Sequence, residues 1–181
     1  VARAALLAGA HIVNDITGFQ GDPDLPAVAA AFGAGVILMH MKGTPATMQL
    51  DPYYDDLLGE IRAFLARSIE VALAAGLGRE QVVIDPGIGF GKMLTHNLEL
   101  LRHLDTFRML GQPVLIGTSR KSFIGRLTGR PVHERVFGTA ASVALAIAHG
   151  ADFVRVHDVA AMVDVVRVAD AIVRGIPESS G

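Results

Sequence analysis

Five short β-rich runs alternate with helical stretches along the whole chain, and every run ends in a polar group. The runs are 11–16 (HIVNDI), 35–40 (GVILMH), 81–85 (QVVID), 113–118 (PVLIGT) and 152–157 (DFVRVH). Helical patterns cover about 24–33, 53–75, 96–110, 134–149 and 160–174. Strands joined by helices predict a parallel α/β sheet with right-handed crossovers. The polar strand ends are Asn14-Asp15, His40, Asp85, Ser119, and Arg155 with His157. An open doubly wound sheet concentrates its site at one switch point, whereas a barrel draws on many strand ends at once. The distribution therefore predicts a (β/α)8 barrel. A complete one takes eight strands and typically about 250 residues, so 181 residues supply about the last five βα units. On this reading 1–175 is a partial barrel and 176–181 (IPESSG) a flexible tail. The opening VARAALLAGA reads as mid-helix and begins on Val1, so the N-terminus is expected further upstream.

Charge is nearly balanced, 16 basic against 18 acidic residues, which argues against general binding to nucleic acid or a membrane surface. The balance is uneven, however. Arg120, Lys121, Arg126, Arg130 and Arg135 stand against only Glu134 within 119–135, a local net of +4, and leave the remainder at −6. Such a cationic segment on an acidic body predicts an anion site. There is no cysteine, which excludes disulfides, thiolate nucleophiles and Cys-ligated metals and fits a reducing cytoplasm. No apolar run reaches the length of a membrane span.

The longest helical pattern places Leu58, Ile61, Leu65, Ile69 and Ala72 on one stripe, with Asp51-Pro52 as its start and Gly76-Leu77-Gly78 as its stop. DPGIGFGK (85–92) follows a strand and precedes a helix. It is neither a Walker A loop nor a dinucleotide fingerprint, yet its three glycines let backbone come close to a flat ligand. Asp85 can accept two N–H bonds from a guanidine-like edge, or simply bond turn amides. IGTSRKSFIGR (116–126) is a strand, a polar turn and a helix start, where Ser119 and Ser122 can cap and helix amides favour an anion. Arg155 and His157 lie two apart and share one strand face. They are read as phosphate ligands at a barrel mouth, the structural alternative being Arg155 paired with Asp85 or Asp158. Asn14 in NDITG suits an amide-bearing heterocycle or an Asx turn. Met39, in MHMKGTPATMQ, stacks on a ring or fills core. None of His11, His96, His103, His133 and His149 sits at metal-ligand spacing.

Taken in order, NDITG, LMHMKGTPATMQ…Y.D, DPGIGFGK…HN, GTSRKSFIG and RVHDV closely resemble dihydropteroate synthases, over essentially all 181 residues. The resemblance implies a pterin-binding barrel that joins 6-hydroxymethyl-7,8-dihydropterin pyrophosphate to p-aminobenzoate and releases pyrophosphate, with sulfonamides competing at the aminobenzoate subsite. It assigns Asn14, Asp85 and Lys121 to the pterin ring, with Met39 and Gly117 lining its pocket. Arg155 and His157, with Asn14, become pyrophosphate ligands, so that Arg155, His157 and Lys121 form the catalytic set. Phe90, Arg120 and Ser122 fall where the family holds aminobenzoate. It further implies Mg2+, a cytoplasmic location and a homodimer for the full-length protein. Three features of the family do not occur in these residues: a first-strand asparagine for Mg2+, a Ser-Thr-Arg-Pro loop and a third-strand aspartate. The chain alone is accordingly expected to be inactive. The competing readings are a methyltetrahydrofolate-dependent corrinoid methyltransferase, a non-catalytic pterin-binding fragment and a nucleotide-binding open sheet.

Overall fold

The computed structural model describes residues 1–48, 50 and 52–176. After a short helix α1 (Ala2–Leu7), five strands alternate with helices: β1 (Ile12–Asp15), α2 (Leu25–Ala31), β2 (Gly35–Met39), α3 (Leu57–Ala74), β3 (Val82–Asp85), α4 (Leu94–Arg102), β4 (Leu115–Ile116), α5 (Ser122–Thr128), α6 (Val136–Ala148), β5 (Phe153–Val154) and α7 (Val159–Arg174). All pairings are parallel. β1, β2 and β3 form one ladder, β4 and β5 another, and a bridge between Ile84 and Val114 joins the two. The spatial order is thus the chain order, with no reversal and no switch point. That is the order of a barrel wall, and the chain forms a five-stranded arc of a (β/α)8 barrel.

Register decides which side chains share a face. Val36 opposes Val82 and Leu38 opposes Ile84. These four are fully buried against Ile61 and Leu65 of α3 and Leu104 and Phe107 of the turn after α4. The alternate row therefore faces the concave side. Asn14 opposes Ile37, Met39 opposes Asp85, and Leu115 opposes Phe153 along it. A smaller core of Val143, Ile147, Met162 and Ala169 holds α6 to α7.

Several elements are shorter than the pattern predicts. The long helix starts at Leu57, not near residue 53, because Asp56 caps it by accepting the Gly59 amide at 3.0 Å. Glu60 Oε1 accepts the Asp55 amide as well, at 2.9 Å. Asp51, the expected start, lies outside the described residues. The stop is as expected, with Gly76 at φ 97°. The fourth and fifth strands shrink to two residues each. Among the described residues β5 pairs only with β4 and β1 only with β2, whereas β4 has β5 on one side and the Ile84–Val114 bridge to β3 on the other. Ile12 is 60% exposed and Phe153 50%. The helix expected over 96–110 breaks at His103 into α4 and a 3-10 turn, Leu104–Leu110. From residue 177 onward the expected flexible tail lies outside the described residues.

Candidate functional site

The concave row ends in polar groups at one rim. Asp85 is buried, and among the described residues only the Gly87 amide donates to its carboxylate, at 2.7 Å. Burial pushes the Asp85 carboxyl up, opposed by that amide and by Lys121, Lys92 and Arg155. Lys121 crosses from the start of α5 to donate to the Ile88 carbonyl. Its Nζ also lies 4.3 Å from the centre of the Phe90 ring, a cation–π contact. Burial lowers the Lys121 amine to about 8.

Arg155 and His157 stand just past the end of β5. The Arg155 amide still bonds Ile116 O at 2.9 Å, and its guanidinium donates to Asn14 Oδ1 at 3.3 Å. That bond joins the two ends of the arc across its mouth, bringing residues 141 positions apart into contact. Neither expected structural partner, Asp85 or Asp158, bonds Arg155; Asp158 pairs instead with Arg120, at 2.5 and 3.0 Å. This pair holds the Asp158 carboxyl below the usual carboxylate range. Ser119 Oγ lies 2.9 Å from His157 Nδ1 and accepts the His157 amide at 3.1 Å. Ser119 therefore orients His157, and the cap expected of Ser119 and Ser122 does not form: no side chain caps α5.

The local cationic excess is partly structural. Besides the Arg120 pair, Arg130 pairs with Glu134 at 2.9 Å, and Arg135 donates to the carbonyls of Arg120, Lys121 and Arg130. Arg120 itself sits at φ 59°, a left-handed turn that this carbonyl clamp and the Asp158 pair hold in place. Ser122 lines a polar cleft of about 660 Å³ between the starts of α4 and α5, shared with Lys92, Asn97 and Arg126. Gly117 would bring an added Cβ within 4.0 Å of the Arg155 carbonyl. Met39 is buried, its Cγ 3.3 Å from where a Gly87 Cβ would stand. Asp15 takes the Asx-turn role considered for Asn14, accepting from Thr17 and from the Phe19 amide at 2.6 Å, which leaves Asn14 exposed on the concave side.

The profile of the family described as "Pterin binding enzyme" matches residues 1–157. The chain belongs to the pterin-binding enzymes. A dihydropteroate synthase of Synechocystis sp. is 51% identical over 175 residues, covering 96% of this chain and 61% of that protein. Among solved structures, a Yersinia pestis dihydropteroate synthase with a sulfonamide drug complex superposes with a TM-score of 0.92 at 42% identity, over 95% of this chain and 62% of that one. A Thermus thermophilus dihydropteroate synthase in complex with 6HMPPP gives 0.89 at 45% identity, over 95% and 68%. The chain spans about six-tenths of the length of the curated relatives it matches.

Sequence reasoning missed the pieces that hold this rim from behind. Asn97 Oδ1 accepts the Gly89 amide at 2.6 Å, Tyr54 Oη donates to Gly91 O at 2.7 Å, and Lys92 is buried under the loop. Asn97 and Lys92 lie inside the DPGIGFGK…HN motif, and that membership was the available signal; nothing local says that Lys92 turns inward. Among the described residues no group of three or more His, Cys, Asp or Glu forms that can hold a metal ion.

Proposed function

We propose that the chain supplies the pterin and pyrophosphate wall of a dihydropteroate synthase. The carrying observation is the shared concave rim, where Asn14, Asp85, Lys121 and Arg155 converge and Arg155 bonds Asn14 across the mouth. The flat pterin lies along the rim with its amino-pyrimidine edge on Asp85, between Met39, Gly117 and Lys121. Its pyrophosphate meets Arg155 and His157. When the methylene C–O bond breaks, the bonding electrons leave with pyrophosphate, and the Arg155 guanidinium and a His157 ring N–H stabilise the charge that grows there. The p-aminobenzoate nitrogen then bonds that methylene and gives up a proton, so no protein nucleophile is needed. Phe90 and Ser122 hold the aminobenzoate. Arg120, engaged with Asp158, contributes from the edge of that subsite.

The exposed anion-binding pair, Arg155 and His157, favours this reading over a corrinoid methyltransferase, which transfers a methyl group and has no pyrophosphate to hold. The longer protein is proposed to be cytoplasmic, Mg2+-dependent and sulfonamide-sensitive. It is also proposed to be a homodimer, for which an apolar groove of about 430 Å³ between α4, α5 and α6 is the supporting face. The 181 residues alone are proposed not to turn over. An assay for dihydropteroate at rates typical of the relatives overturns that part.

Calorimetry with Arg155→Ala tests the wall. A lost charge-assisted hydrogen bond is worth about 1.5–3 kcal/mol, so affinity for the pterin pyrophosphate is expected to fall roughly ten- to hundredfold. Affinity for unphosphorylated 6-hydroxymethylpterin is expected to change little. Equal losses return Arg155 to a structural role.

A further inference from the structure

The segment 86–91 has no regular structure, yet it carries Phe90 and must hold that ring still. Its backbone lies against the exit of β2 at two points. A Cβ on Gly87 would stand 2.0 Å from His40 O, and one on Gly91 2.4 Å from Lys42 O. Both glycines have positive φ, 74° and 64°, so only glycine permits this approach. Beneath it Lys92 turns back from the start of α4. Lys92 is 3% exposed, and its Nζ donates to Phe90 O at 2.9 Å and meets His40 Nδ1 at 2.9 Å.

His40, 4% exposed, is fixed from its other sides. Its amide bonds Asp85 O at 2.9 Å, and its ring meets Phe64 edge-on at 4.8 Å and Tyr54 at 6.2 Å. Burial, then the charges of Lys92 and Lys42, hold the His40 ring neutral, down to about 2. Below about pH 7, where the buried Lys92 amine is protonated, a neutral ring facing that ammonium accepts at Nδ1 and carries its proton on Nε2. A buried amine is expensive to keep where a hydrophobic side chain would fill the volume. That expense points to a task beyond filling space.

We propose that Lys92 is the positioning residue of the aminobenzoate subsite: by tying the Phe90 carbonyl to the buried His40 ring, it sets where the Phe90 ring meets the incoming amine substrate. The inference rests on Phe90 belonging to that subsite. The same loop bears Ile88 O, to which Lys121 donates, so two lysines hold it at two carbonyls, Ile88 O and Phe90 O. Lys121 faces the ligand, and Lys92 faces the core.

The test uses Lys92→Met, which keeps the length and removes the donor. Amide exchange at Phe90, whose N–H bonds Gly87 O, and at Gly89 is expected to accelerate at least about tenfold. Exchange at Ile84, bonded to Pro113 O, is expected to stay within about twofold. Affinity for pteroate, which carries the aminobenzoate arm, is expected to fall about tenfold, and that for 6-hydroxymethylpterin by less than about threefold. Unchanged exchange at Phe90, or equal loss of both ligands, overturns the proposal. If the unsubstituted chain binds neither ligand, the pterin reading is what fails, and the exchange result alone decides whether Lys92 holds the loop. Should Lys92→Met not fold, 15N shifts of the His40 imidazole in the unsubstituted chain at about pH 6, where Lys92 is protonated and His40 neutral, decide. A neutral ring with a hydrogen-bonded Nδ1 acceptor supports the latch, and a proton on Nδ1 overturns it.

Discussion

At the ends of β2 and β3 the polar side chains are sealed away, with His40, Asp85 and Lys92 all buried, whereas past the end of β5 Arg155 and His157 stand exposed. One rim thus carries two kinds of wall. On the sealed side each ionisable group has lost its water and been shifted by burial, and a hydrogen bond made there acts in a low dielectric, where its geometry counts for most. That wall suits the fixed donor pattern of a flat, uncharged ring. On the open side the guanidinium and imidazole stay hydrated until an anion displaces the water, which suits a group that must bind, gain charge and depart. The difference teaches that a strand end can select its ligand through solvent access as much as through residue type.

The comparison breaks most readily at Asp85. A guanidine-like edge on the buried carboxylate makes two charge-assisted bonds, each worth about 1.5–3 kcal/mol. Asp85→Ala is therefore expected to weaken binding of the pterin pyrophosphate and of the unphosphorylated pterin alike, by roughly a hundredfold or more. This is the opposite pattern to Arg155→Ala, which spares the unphosphorylated ring. The two effects are expected to add in the double variant, since they act on different parts of the ligand. If Asp85→Ala affects only the pyrophosphate ligand, the sealed wall does not read the ring and the division fails.

The architecture and the rim were legible because both follow from period. β-rich runs recurring between helical stretches gave the parallel wall; two-residue alternation predicted Arg155 and His157 on one strand face, whereas β5 ends at Val154 and both stand past it, where their backbone is no longer strand. The resemblance supplied roles for single residues, such as Lys121, whose charge run taken alone reads as a solvated face. What stayed hidden depends on contacts far apart in sequence. Nothing local says that Arg120 is taken by Asp158, 38 positions away, or that Tyr54 reaches Gly91. Lys92 looks like the last residue of a glycine-rich turn, and only the fold turns it inward to His40, 52 positions back. Strand ends were overestimated for a related reason. Sequence reports β propensity, while a ladder also needs a partner in register over the same residues, and β4 stays at two residues although β3 and β5 flank it.

A smaller effect sharpens the same comparison through pH. Burial lowers the Lys92 amine to about 7 and Lys121 to about 8, from an ordinary 10.5. Between those folded values and 10.5 the unfolded chain still holds protons that the folded chain has released, so stability rises with pH. Below the folded values both states are protonated and the slope vanishes. A single group fully inside its window contributes at most about 1.4 kcal/mol per pH unit, and Lys92, the deeper of the two, comes nearest to this limit. Tyr53 and Tyr54 are both raised, so their contribution is lost only as pH climbs past about 10, outside the useful range. The urea midpoint of the unliganded chain is therefore expected to rise between about pH 7 and 9.5, and Lys92→Met to lose the larger part of that rise. A flat profile in the unsubstituted chain would mean that water reaches Lys92, and the sealed wall would then differ from the open one in residue type alone.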